Sequence, residues 1–171
     1  MIVVKAPDAK LRIKTKPVKK INQALLGTLK EMIKLTQTFK DPEGVGLAAT
    51  QVGLEERYFV AKNDTKFMIV INPKIISFGK RTKKYFEGCL STPNIWGEVK
   101  RHTNIKVSYQ NETGKMLNTP LKGVLAWIFQ HEIDHLDGIL FQDRVLEQKG
   151  KFYKFTGKDK TGTDNFEEVT L

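Results

Sequence analysis

The sequence predicts an α+β fold in which antiparallel β-sheets pack around one buried, metal-binding helix at about residues 121–136, with an amphipathic helix near the N-terminus. Three observations predict it. From Leu121 to Leu136 the chain reads LKGVLAWIFQHEIDHL, apolar almost all the way round, as a buried helix should be. Residues 57–110 break into short apolar or alternating runs divided by turn residues, the pattern of strands. These runs follow one another without intervening helices, which favours hairpins over a doubly wound parallel sheet.

Taken in order, residues 1–17 read as an irregular lead-in punctuated by Pro7 and Pro17. From about Val18 to Phe39, Ile21, Leu25, Leu29, Met32, Ile33 and Leu35 recur at three- and four-residue steps, which predicts a helix closed before Pro42. Gly44 to Gly53 place three glycines among small residues, with Gln51 as the one side chain carrying both a donor and an acceptor. Without a following Gly-Lys-Ser/Thr this is no phosphate loop, and taken alone it reads as a tight turn. Tyr58–Ala61 and Phe67–Ile71 flank an Asn-Asp-Thr turn, and Ile75–Phe78 and Lys83–Phe86 flank one containing glycine, so two hairpins are expected. Ile105, Val107 and Tyr109 alternate with polar residues, as in a half-buried strand. Thr119 and Pro120 offer an N-cap and a first-turn proline for the buried helix, and Gly138 a stop. After the apolar segment Ile139–Val145, a polar tail at 148–171 carries Phe152, Tyr153 and Phe155 and suits a terminal hairpin around Thr161-Gly162. No linker divides the chain, so residues 1–171 are expected to form one catalytic domain.

Composition narrows the classes. No run approaches the ~18 apolar residues of a membrane span, and the N-terminus lacks the apolar core of a signal peptide, so a soluble, cytoplasmic protein is expected. Cys89 is the only cysteine, which rules out an intrachain disulfide and fits a reducing compartment. The formal charge of +10 is concentrated in residues 1–20 and in Lys80-Arg81 with Lys83-Lys84. Such patches suit ribosomal RNA rather than DNA, although a solvated lysine-rich face is their commoner meaning.

The chemistry concentrates in His131-Glu132-Ile133-Asp134-His135. On a helix His131 and His135 share a face and can turn two imidazoles toward one ion, with Glu132 placed to meet a water held there. A catalytic site of this type needs a third protein ligand and an open position. The candidates are Cys89, His102 and the carboxylates Asp137, Asp143, Glu147, Glu167 and Glu168. Cys89, a soft thiolate donor beside the permissive Gly88, is the better choice over His102 in its polar setting. A zinc metalloprotease of the H-E-x-x-H type is the alternative enzyme, although it would draw its third ligand from downstream. A basic RNA-binding protein with a structural metal is the non-enzymatic alternative, but its closed site would need a fourth ligand.

Three segments together carry a resemblance. GVGLAATQ at 44–51, EGCLS at 87–91 and QHEIDHLDG at 130–138, in this order, resemble the signature motifs of peptide deformylases, and PDAKLRIKTKPV with the helix after it is similar to that family's N-terminal region. The resemblance spans roughly residues 1–147 and implies a hydrolase that removes the formyl group from the N-terminal methionine of newly made polypeptides in the bacterial cytosol, releasing formate. It implies Cys89, His131 and His135 as metal ligands and Glu132 as general acid and base, with Gln51 and the Leu90 backbone N–H as oxyanion donors. Fe2+ is the implied native ion, replaceable by Zn2+, Ni2+ or Co2+. For the methionine side chain, Val124, Trp127 and Ile128 fall on the helix face of the histidines. Val45-Gly46 and Gly88 are placed to pair with substrate backbone as an added strand. Asp134 is expected to support the site by pairing with a base such as Arg101. The resemblance departs at Asn94-Ile95-Trp96, where bacterial members often carry an arginine.

Overall fold

A computed structural model of the chain describes residues 1–40 and 43–170. The lead-in has one short 3-10 turn at Ala9–Arg12 and otherwise runs as a strap across the elements that follow. Its Val4 N–H donates to the Gln51 carbonyl at 2.8 Å and its Ala6 N–H to the Ser91 carbonyl at 2.9 Å. Helix α1 (Gln23–Thr38) begins later than the periodicity from Val18 suggests. Asn22 caps it by accepting the Leu25 N–H, while Val18 is held outside the helix by the Asn72 side chain, which bonds both its N–H and its carbonyl. Leu25, Leu29, Met32 and Thr36 form the buried face. Pro42, expected to close this helix, lies outside the described residues together with Asp41 and Leu171.

Two antiparallel sheets follow. The five-stranded sheet has the order β1 (Gly46–Ala48), β2 (Tyr58–Asn63), β3 (Lys66–Phe78), β6 (Asn104–Gln110), β7 (Met116–Lys122). The four-stranded sheet has the order β4 (Thr82–Cys89), β5 (Thr92–His102), β8 (Phe152–Lys158), β9 (Asp164–Val169). The β2–β3 hairpin forms where the sequence places it, and Ile105, Val107 and Tyr109 all point inward from β6. The hairpin expected between Ile75–Phe78 and Lys83–Phe86 does not form. Ile75–Phe78 instead extend β3, which shifts register past Asn72 (φ 51°) and pairs with β6, where Ile75 lies opposite Val107 and Phe78 opposite Ile105. Lys83–Phe86 belong to β4 in the other sheet and pair with β5. The tail does make a hairpin, β8–β9, whose turn carries Gly162 at φ 85°.

Helix α2 (Gly123–Leu136) starts later than position 121, and Thr119 and Pro120 are not its cap and first turn. They are strand residues of β7, opposite Val107 and Lys106. At the edge of a sheet a proline costs no ladder bond on the open side, so it does not stop the strand. Gly123, at φ 59°, makes the turn into the helix, and Gly138, at φ 74°, ends it. A Cβ on Gly138 would meet the Arg12 carbonyl oxygen at 2.5 Å, so that glycine also allows the lead-in to pass. From Ala126 to Leu136 every residue of α2 except Trp127 is buried. Phe129 packs edge-on against Phe59 of β2 at 5.0 Å, which fixes the helix against the larger sheet. A short helix, α3 (Phe141–Glu147), seals a second cluster of Val99, Phe141, Val145 and Phe152 under the smaller sheet. No helix among the described residues is long and apolar enough to cross a membrane.

Candidate active site

Helix α2 presents His131 and His135 one turn apart, and the end of β4 brings Cys89 to them. Their donor atoms all lie within 4.8 Å of one another, with Cys89 Sγ 3.2 Å from His135 Nε2. Burial alone would raise the Cys89 thiol pKa, but the neighbouring charge of His135 and hydrogen bonds from both histidines bring it well below its ordinary value. The thiolate also receives the Gln51 Nε2 at 3.3 Å and the Ser91 N–H at 3.4 Å. His131 donates through Nδ1 to Glu87 Oε2 at 2.9 Å, which leaves its other ring nitrogen as the electron-pair donor. One thiolate and two imidazoles converging from two rigid elements fit a divalent metal. The described carboxylates Asp137, Asp143 and Glu147, candidates for a downstream ligand, are instead tied to Arg57, Arg12 and Arg144. Glu168 pairs with Lys151, and His102 places its Nδ1 2.7 Å from the Gly79 carbonyl oxygen, away from the site. The protease alternative therefore has no support in the donor set.

Around these donors lies a small cleft of about 90 Å³ whose walls include Val45, Gly46, Gln51, Gly88, Leu90, Trp127, Ile128 and Glu132. Gln51 is 2 % exposed, and the Ala48 N–H holds its Oε1 at 2.8 Å, so its amide nitrogen is turned toward Cys89 and Ser91. Glu132 is buried against Gly46, and its Oε2 has no hydrogen-bond partner. Burial pushes its carboxyl up to about 7, more than the charges of His131 and His135 pull it down. Gly46 is glycine for a visible reason: a Cβ there would stand 2.3 Å from Glu132 Oε1. Val124 is not brought into the cleft. It occupies the first turn of α2 and is 60 % exposed, whereas Trp127 and Ile128 reach the wall.

The support behind the metal donors is more extensive than the sequence reading. Arg101 does pair with Asp134, and it also grips Glu87 through Nε at 2.8 Å and a terminal nitrogen at 3.0 Å. Arg144 holds the other side of Asp134 at 2.7 Å and 3.0 Å. Sequence alone does not mark Glu87 and Arg144 as part of the site, because a charged residue reads as solvent-exposed by default. The signal for Glu87 was its position two residues before Cys89 on the same strand, which puts both on one face. With Arg101 and His131 as partners, Glu87 is held down to about 2 despite its burial.

A buried helix with two histidines one turn apart, a thiolate from a neighbouring strand and a free carboxylate beside them define a metal-centred hydrolase. A family model described as polypeptide deformylase matches residues 1–151. A peptide deformylase of Thermotoga neapolitana is 43% identical over 142 residues, covering 83% of this chain and 85% of the relative. The chain belongs to the polypeptide deformylase family and is a peptide deformylase enzyme. Among solved structures, the peptide deformylase of Thermotoga maritima superposes with a TM-score of 0.78 at 42% identity, over 83% of this chain and 95% of that one. A class I type b peptide deformylase from Acinetobacter baumannii, solved with Met-Ala-Ser bound, superposes with a TM-score of 0.76 at 33% identity, over 84% of this chain and 97% of that one.

Proposed function

We propose that the enzyme removes the formyl group from the N-terminal formyl-methionine of newly made polypeptides in the bacterial cytosol, with formate as the second product. The observation that carries this reading is the unpartnered, buried Glu132 carboxylate in the same cleft as the Cys89, His131 and His135 donors. The Met-Ala-Ser bound to the Acinetobacter relative supports the same substrate class. Cys89, His135 and the ring nitrogen of His131 not engaged by Glu87 would hold the divalent metal, with Fe2+ as the native ion and Zn2+, Ni2+ or Co2+ as replacements. When bound, the metal supplies a Lewis acid that polarises the formyl carbonyl and acidifies water from a pKa of about 15.7 toward 7.

The chain's own groups do the rest. Glu132 takes the proton from the attacking water as its oxygen bonds to the formyl carbon, and returns it to the amine nitrogen as the C–N bond breaks. Gln51 Nε2 and the Leu90 N–H stabilise the negative charge that gathers on the formyl oxygen. Removing one such donor typically costs about 10²–10³ in rate. The edge of β1 at Val45-Gly46 pairs with substrate backbone, with Gly88 opposite, while Trp127 and Ile128 line the slot for the methionine side chain. Formate release from formyl-Met-Ala-Ser, by protein prepared without oxygen to protect the Cys-ligated site, tests the reading. Turnover far above Glu132→Ala is expected, and turnover no higher than that variant would overturn it.

A further inference from the structure

Cys89 ends β4 and Thr92 begins β5, and the two lie opposite each other, so Leu90 and Ser91 form the turn between them. Three consecutive residues of the N-terminal strap hold this turn and the segment that carries Gln51. The Val4 N–H donates to the Gln51 carbonyl at 2.8 Å, and the Ala6 N–H to the Ser91 carbonyl at 2.9 Å. Between them Lys5 donates through its Nζ to the Leu90 carbonyl at 2.6 Å. The same ammonium stands 6.0 Å from the centre of the Phe39 ring, a second attraction that favours this position of an exposed side chain. The Leu90 carbonyl shares its peptide unit with the Ser91 N–H, and that N–H donates to Cys89 Sγ at 3.4 Å. One planar peptide therefore links the Lys5 ammonium at one end to the thiolate at the other.

We infer that Lys5 is a positioning residue for the reaction. It holds the Leu90–Ser91 peptide so that the Ser91 N–H stays on the Cys89 thiolate and the adjoining Leu90 N–H stays aimed at the formyl oxygen. The inference rests on the deformylation reading for the role of the Leu90 N–H, whereas the hold on the thiolate is independent of it. A carbonyl that accepts a charged donor polarises its own peptide, which makes the N–H at the other end a stronger donor. A bond of that kind does for the thiolate what Glu87 does for His131: it fixes the ligand's direction and tunes the electron density it gives a metal. The next carbonyl, that of fully buried Ser91, is already held by Ala6, so Lys5 completes a clamp on two successive peptide units. Without Lys5 the Leu90 N–H is still present but less well aimed, so the loss is smaller than the about 10²–10³ of deleting an oxyanion donor. About tenfold in kcat is expected, with KM little changed, because the effect falls on the transition state.

The test compares Lys5→Met, which keeps the aliphatic stem without the charge, with Lys5→Arg, which restores a charged donor. Wild type and both variants are loaded with Co2+, and kcat and KM for formyl-Met-Ala-Ser are measured per bound cobalt. The thiolate-to-cobalt charge-transfer band is recorded beside them and needs no turnover. For Lys5→Met, kcat should fall about tenfold with KM within about twofold of wild type. The band should move to longer wavelength, since a thiolate with a weakened hydrogen bond gives up electron density more readily. Lys5→Arg should return both readouts toward wild type. A strap that only stabilised the fold would lower the urea midpoint of Lys5→Met and leave kcat per bound cobalt and the band where they were. Either an unmoved band or a kcat within about twofold of wild type overturns the inference. Absence of turnover by the wild type refutes the deformylation reading instead, and the band then decides on Lys5 by itself.

Discussion

Replacing Gly46 by alanine tests whether the position of the Glu132 carboxylate controls the rate. The added Cβ would lie 2.3 Å from Glu132 Oε1, 2.8 Å from Cδ and 3.0 Å from Cγ. Ordinary contact begins near 3.4 Å, so the carboxylate must retreat by about 1 Å, a misplacement that typically costs about 10²-fold in rate. The backbone on either side has little freedom to absorb it. Gly46 is paired with Ala61 across β1 and β2, and Glu132 sits in the buried length of α2. The expected outcome is a fall of about 10² in kcat for formate release, with metal content unchanged because Cys89, His131 and His135 are not touched. A folded Gly46→Ala enzyme with full metal and kcat within threefold of wild type would refute the reasoning, about threefold being far below the loss a 1 Å shift predicts.

Four further outcomes follow from the same geometry. Cys89→Ala should lose metal on dialysis, measured by elemental analysis; full occupancy would mean that the thiolate is not a ligand. Glu87→Ala removes the acceptor of His131 Nδ1 and should weaken metal affinity by about 10–100-fold in chelator competition. Asp134→Asn leaves Arg101 and Arg144 facing an uncharged amide and should cost about 3–5 kcal/mol in urea unfolding. The pH dependence of stability has a part assigned to Arg12, whose guanidinium opposes the effect of burial and lowers the Asp143 carboxyl pKa. A carboxyl whose folded value lies below its unfolded one stabilises above the unfolded value, about 3.9, and loses that contribution as pH falls through the folded value. Arg12→Ala should therefore lower the urea midpoint at neutral pH and approach wild type as pH falls through the folded value of Asp143, and a gap that persists unchanged would argue against the pair.

The site was legible in the sequence to the extent that its chemistry is local. His131 and His135 follow from helix periodicity and Gln51 from its motif. Cys89 follows from the scarcity of other soft donors. Of the electrostatic support, the Asp134–Arg101 pair was legible, whereas Glu87 and Arg144 were not, because they become buried only through pairings between distant segments. The start of α2 was misplaced where Pro120 was read as its first-turn proline. Pro120 lies within edge strand β7, where a missing N–H on the open side costs no ladder bond. The sheet to which Lys83–Phe86 belong could not be read from a turn signal, since β4 pairs forward with β5 and not back with β3. The tail's hairpin was visible in Thr161-Gly162, but its place against Trp96 depends on a long-range register with β5.

The chain of Glu87, Arg101, Asp134 and Arg144 ties the strand that carries Cys89 to the helix that carries both histidines, using bonds that run entirely between protein groups. In a zinc finger the ion is the staple, and removing it unfolds the peptide. Here the scaffold is fastened independently of its cargo. Such an enzyme is expected to stay folded when a chelator strips its site and to accept a different ion afterwards, so the ion it would carry is expected to reflect supply as well as sequence.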